Sequence, residues 1–107
     1  MPFIDFSNLE QRELVPGFRV HMVHSESMTF AHWDIDSGAK LPEHSHPHEQ
    51  VCNVLAGEFE LTIDGETQIV KPGRVAVIPS NAVHSGVAVT NCKVLDVFSP
   101  TREDYRW

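Results

Sequence analysis

The stretch GAKLPEHSHPHEQVCNVLAG, from Gly38 to Gly57, decides how the rest of the chain is read. His44 and His46 stand at i and i+2, which on a β-strand puts two imidazoles close together on one face. Gln50, four residues on, keeps that parity, so an extended segment can present two nitrogens and an amide oxygen to one point. Zinc, iron, nickel, copper and manganese accept such donors, and an ion so held still needs a ligand from elsewhere. His84, in PSNAVHSGV, is best placed to supply it. The expected metal ligands are His44, His46, Gln50 and His84. His48 shares their parity and reaches inward if the strand stays regular through Pro47, whereas a bulge turns it out. Glu49 is a further candidate ligand. Three inward imidazoles without a cation would be costly to bury unsatisfied.

The spacing Gly38, five residues, His44-x-His46, three residues, Gln50, six residues, Gly57 resembles the first motif of the cupin superfamily, with Gln50 where most members carry glutamate. The second cupin motif is approximated by Gly73, Pro79, Asn81 in place of glycine, His84, and Ala88 in place of asparagine. These departures bear on turn geometry more than on ligation, since asparagine tolerates positive φ better than most residues.

Composition narrows the class. A chain of 107 residues without internal repeats fits one domain that buries roughly 65% of its unfolded surface. Hydrophobic residues make up 41% and charged residues 21%, ordinary for a globular protein. A formal charge of −7, with no basic stripe, argues against nucleic acid or an anionic membrane as partner. An anionic small substrate needs local positive charge, which a metal can supply. No apolar run spans a bilayer, and MPFIDFSNLEQREL lacks the features of a signal peptide, so a cytoplasmic location is expected. Cys52 and Cys92 form no C-x-x-C motif and read as reduced, buried thiols. Cys52 shares the parity of Gln50, which brings it near the pocket.

Turn signals then divide the chain into strands. Val15-Pro16-Gly17 separates an N-terminal arm, residues 1–16, from a β-barrel of residues 17–99 within a single domain. GFRVHMVH and MTFAHWDID are strand-like, and their His21, His24 and His32 have no spacing that ties them to the ligand set. Phe59, Leu61 and Ile63 alternate with polar residues, and Asp64-Gly65 is the strongest hairpin signal. In RVAVIP, Val75 and Val77 take one side and Ala76 and Ile78 the other. Ser99-Pro100 reads as a helix cap followed by about two turns over residues 100–107. The expected fold is all-β, a double-stranded β-helix or cupin jelly-roll barrel with a short C-terminal helical turn, the metal in its mouth.

Asp96 lies in an apolar strand, and parity sends it to the same side as Phe98. If that side is the interior, the carboxylate is a candidate general acid or base whose pKa burial raises and a cation lowers. Otherwise Leu95 and Val97 point inward and Asp96 is exposed. With Gln50 for glutamate the ligand set is neutral, so a divalent ion keeps its full charge, which favours binding or isomerising an anion over oxidation.

HSHPHEQ, LAGEFELTIDGE and LDVFSPTREDY, spanning roughly residues 38 to 105, are similar to the pectin-degradation cupins called KdgF. The resemblance implies conversion of 4,5-unsaturated monouronates from pectin or alginate to open-chain 5-keto-4-deoxyuronate. It implies one divalent ion, nickel, zinc, manganese or iron, on His44, His46, Gln50 and His84, catalytic roles for Asp96 and Arg102, and substrate binding by Phe98 and Arg102. The other reading of Arg102 is a surface ion pair with a nearby acid. Cys52-Asn53 departs from the threonine-tyrosine usual in that family. Resemblance to small cupins also implies a homodimer. The competing functions are a metal-dependent dioxygenase of a small organic substrate and a non-catalytic module that binds a sugar or other small ligand.

Overall fold

The computed structural model describes residues 2–107. Among them the strands are β1 (Gln11–Val15), β2 (Phe18–His24), β3 (Thr29–Ile35), β4 (Lys40–His44), β5 (Glu49–Ala56), β6 (Phe59–Ile63), β7 (Glu66–Val70), β8 (Val75–Ile78), β9 (His84–Ala88) and β10 (Cys92–Ser99). They form two antiparallel sheets, a six-stranded one in the order β1-β2-β3-β10-β5-β8 and a four-stranded one in the order β4-β9-β6-β7. This is the expected jelly roll. Among the described residues no helix is long and apolar enough to cross a membrane.

Alternation builds the core. Phe59 and Leu61 of β6, Val54 of β5, Val94 of β10, and Phe18 and Ile35 of β2 and β3 are buried between the sheets. Phe59 packs so closely on β9 that a Cβ on Gly86 would lie 2.3 Å from its ring. In β8, Ile78 is buried and Val75 and Val77 are exposed, as their parity predicts. Asp64 and Gly65 both adopt positive φ, 47° and 84°, the geometry of a two-residue hairpin turn. Asn81 adopts φ 65°, so it does take the left-handed conformation for which glycine is usual.

Two boundaries differ from expectation. Val15-Pro16-Gly17 is a hairpin turn inside the sheet, because Gln11–Val15 pairs antiparallel with β2; the sheet therefore begins before residue 17. At the C-terminus the helical turn is one 3-10 turn, Glu103–Tyr105, beyond a cis Ser99–Pro100 peptide. It starts late because Thr101 and Arg102 spend polar groups on the β2–β3 connection. The Thr101 hydroxyl donates to the Glu26 carbonyl and the Arg102 N–H to Thr29 Oγ1.

Candidate metal centre

One end of the barrel collects the β2–β3, β4–β5, β6–β7 and β8–β9 connections and the chain after β10. The expected single strand from His44 to Gln50 is broken there. Residues 45–48 form a turn that carries the chain from the four-stranded sheet to the six-stranded one. His44 ends β4, His46 lies in the crossing, and Gln50 sits in β5. The donors converge across the barrel mouth instead of along one strand, because Pro47 cannot continue the ladder. His84 opens β9, directly opposite His44 in the β4–β9 register.

One ring nitrogen from each of His44, His46 and His84 lies within 4.8 Å of the others. Each ring is oriented by its second nitrogen. Nδ1 of His44 donates to the Pro42 carbonyl at 2.8 Å, Nδ1 of His46 to that of His48 at 3.0 Å, and Nδ1 of His84 to that of Ala82 at 2.9 Å. Such bonds fix the tautomer and leave each Nε2 as a lone pair. The His84 Nε2 is buried with no hydrogen-bond partner among the described residues. His46 Nε2 lies 3.1 Å from Gln50 Oε1, so two acceptors face each other. A cation between these atoms resolves both anomalies, and the donor set of three imidazoles and an amide oxygen suits a borderline divalent ion.

Burial lowers the pKa of His46 to about 4, helped by the Arg102 charge and by His84. Burial lowers that of His84 as well. The His46 ring therefore stays neutral, ready to ligate, in mildly acidic solution, and burial favours the neutral form of His84 too. His48 is not in the cluster. Its ring lies 5.6 Å from that of His46, tilted by 59°, beside Arg102 and Asp104. Glu49 is exposed on β5.

Asp96 settles the parity question by facing inward. It is 9% exposed, paired with Cys52 across the β5–β10 ladder. Burial raises its pKa to about 6, held back by the Gln50, Cys52 and Trp33 side chains turned toward it and by the Arg102 charge. Its Oδ1 has no hydrogen-bond partner among the described residues. Below it a small cavity of about 30 Å3 is walled by Phe18, Phe59, Leu61 and Val94, which explains the desolvation. A carboxylate accepts only N–H from an amide, so Gln50 turns its nitrogen to Asp96 and its oxygen to the histidines. Burial also pushes the Cys52 thiol well above its ordinary pKa, so it is no thiolate nucleophile.

Phe98 is buried with its ring 5.6 Å from that of His46. Arg102 is buried too, its guanidinium 4.7 Å over Phe98 and 4.1 Å over Tyr105. It also pairs with Asp104 through Nε and Nη2 at 3.1 and 2.8 Å, the ion pair that was its other reading, though from a buried and not a surface position. Trp33 and Tyr105 were not singled out from the sequence. Trp33 shares inward parity with Ala31 and Ile35, which was the available signal; Tyr105 had none, since the 3-10 turn brings it back. A cleft of about 490 Å3 runs along the seam between β7 and β8 and is lined by none of the expected site residues.

Residues 31–98 match a family model described as a cupin domain. The "Pectin degradation protein KdgF" of Dickeya dadantii (strain 3937) is 40% identical over 70 residues, 64% of this chain and 64% of that protein's length. The structure of KdgF from Halomonas sp. superposes with a TM-score of 0.91 at 28% identity, covering 99% of both chains. An RmlC-like cupin from Shewanella frigidimarina also gives 0.91 at 28% identity, over 99% of this chain and 96% of that one.

Proposed function

The chain belongs to the cupin family, and from that premise we propose that it is a metal-dependent enzyme of pectin or alginate breakdown that opens 4,5-unsaturated monouronates to 5-keto-4-deoxyuronate. Its likeness to two KdgF proteins supports the substrate class. The observation that carries the reading is Asp96, a buried carboxylate of raised pKa that lines the same small cavity as Gln50 and His84.

His44, His46, Gln50 and His84 would hold one divalent ion, nickel, zinc, manganese or iron. Bound there, the ion supplies Lewis-acid stabilisation of negative charge on oxygen, undiminished by any anionic ligand. Asp96 takes the proton of the anomeric hydroxyl. The O–H electron pair becomes the C1 carbonyl π bond, and O5 leaves with the pair of the broken C1–O5 bond as an enolate conjugated to C4. Protonation at C4, by the acid form of Asp96 or by water, gives the ketone, so one proton is taken up and one returned. A carboxyl group whose pKa lies near 6 suits both halves. Arg102 pairs with the substrate carboxylate and Phe98 covers a sugar face. A cytoplasmic setting fits the free thiols of Cys52 and Cys92.

The protein works as a homodimer. On the outer face of the six-stranded sheet Leu55, Val75 and Val77 are 58%, 54% and 58% exposed. Val51, Leu95 and Val97 share that face by parity, and none of the six is acidic. A second copy of the chain can therefore cover this apolar patch without burying a carboxylate from within it.

The test is the ultraviolet absorbance of the conjugated enol ether. Protein- and metal-dependent loss of that absorbance without oxygen consumption supports the reading; no loss with any of the four metals rejects it.

A further inference from the structure

The turn that carries Arg102 is tied at both ends by one side chain the proposed reaction does not touch, His24 of β2. At one end the Arg102 backbone N–H donates to Thr29 Oγ1 at 2.9 Å, and that hydroxyl lies 2.8 Å from His24 Nδ1. At the other end His24 Nε2 lies 3.2 Å from the Tyr105 carbonyl oxygen. One arrangement of protons satisfies every group: Thr29 accepts from Arg102 and donates to Nδ1, and the Nε2–H donates to the Tyr105 carbonyl. Thr29 is 0% exposed, so water cannot replace a lost partner of its hydroxyl. The turn between the two ties is closed by the Tyr105 N–H donating to the Arg102 carbonyl at 3.0 Å.

The guanidinium reads the result. Tyr105 and Phe98 have ring centroids 6.3 Å apart, so they make a corner around Arg102 and not a sandwich. Displacing the Tyr105 carbonyl moves one wall of that corner. Asp104 alone is a poor substitute anchor, because its side chain is 56% exposed and its pull is screened by water.

We propose that His24 is a positioning residue that sets the direction of the Arg102 guanidinium and thereby the affinity for the substrate carboxylate. The proposal rests on the uronate reading for what Arg102 binds, though not for how Arg102 is held. It predicts a larger effect on binding than on chemistry, since His24 reaches the Asp96 carboxylate and the metal ligands only through the charge of Arg102.

The test uses metal-loaded full-length protein with His24→Ala, His24→Asn and His24→Gln. Calorimetric titration with sodium D-galacturonate reads binding, steady-state kinetics with the unsaturated uronate separate KM from kcat, and hydrogen exchange at the Arg102 Nε–H reads the guanidinium directly. His24→Ala should weaken galacturonate binding and raise KM about 3- to 10-fold, the range for a lost hydrogen bond. Metal content should be unchanged, kcat should change less than KM, and Nε–H exchange should be faster. His24→Gln, long enough to donate to the Tyr105 carbonyl, should recover most of the loss, and His24→Asn should not. Unchanged KM and unchanged exchange in His24→Ala overturn the proposal. Should the alanine variant unfold or lose metal, the Gln and Asn variants decide, with equal behaviour of the two counting against it. If wild type neither binds galacturonate nor consumes the unsaturated sugar, the uronate reading falls, and exchange alone then decides: faster in Ala and restored in Gln supports positioning, no difference rejects it.

Discussion

Gln50 Oε1 lies 3.1 Å from His46 Nε2, an acceptor facing a lone pair that a shared cation reconciles. His84→Ala removes the buried, unpartnered Nε2 and should reduce metal content to background. Gln50→Glu should tighten metal binding by roughly 10- to 100-fold, since it adds a negative charge beside the cation. It should also slow turnover, because Asp96 loses an N–H donor and gains a second carboxylate. Elemental analysis and chelator competition measure the first effect. Unchanged affinity in Gln50→Glu would mean that residue 50 does not touch the ion.

Asp96→Asn keeps size and polarity but cannot exchange a proton. Because Asp96 is the proposed proton carrier and not a ligand, turnover should fall about 100- to 10,000-fold with metal content intact. Full activity in a variant that still binds metal would remove Asp96 from the reaction.

The two halves of this site were not equally legible in the sequence. His44, His46, Gln50 and His84 could be named from spacing, yet the geometry behind the naming was different. The chain breaks at Pro47, and the donors meet across the barrel mouth from two sheets. The motif survives that error because turn and strand both bring the residues to one end. Asp96 could be placed only on one of two faces, since flanking Leu95 and Val97 are as apolar as any core pair; what decides it is that Leu95 and Val97 share their outward face with Val51 and Leu55, a face that parity cannot rank. Tyr105 and His24 were invisible as partners of Arg102, because their meeting depends on a 3-10 turn and a contact across most of the chain.

The metal-free protein should show an acid dependence to which His46 and Asp96 contribute with opposite sign. His46 falls from 6.5 to about 4 in the folded state, so between those values the unfolded chain holds a proton the native one lacks, and stability is lost as pH falls. Asp96 rises from 3.8 to about 6, so between those values the native chain holds the extra proton, and stability is gained as pH falls. Between roughly pH 4 and 6 the two oppose each other. Asp96→Asn removes the second, and its stability should fall more steeply than wild type on acidification, by up to about 1.4 kcal/mol per pH unit. Urea melts of chelator-treated protein from pH 6.5 to 4.5 measure it. Parallel slopes for the two proteins would contradict the Asp96 assignment.

Gly86→Ala and Gly65→Ala separate two costs of adding a methyl. At Gly86 the Cβ would lie 2.3 Å from the Phe59 ring, and the ring sits in the core between β2 and β9. Overpacking there should cost about 1–3 kcal/mol. Gly65 has nothing within 4 Å of such a Cβ but holds φ 84°, so its cost is conformational, about 1–2 kcal/mol. Only the Gly86 variant should also disturb metal binding, since His84 is two residues away on the same strand. Urea unfolding with and without metal reads both, and equal metal dependence in the two variants would break the distinction.

Leu55 and Val77 test the dimer. Both project from the outer face of the six-stranded sheet, on neighbouring strands β5 and β8, and each is 58% exposed. A self-complementary face places each residue close to the symmetry axis opposite the same patch of the partner, so one substitution is felt twice. Leu55→Glu with Val77→Glu introduces two carboxylates per copy into this apolar patch, and four must then be desolvated together. Neither side chain reaches the core, so the barrel and the metal site should persist. Sedimentation should show a wild-type dimer and a monomeric double variant of unchanged circular dichroism and metal content. A monomeric wild type, or a double variant that still dimerises, would place the contact elsewhere or nowhere.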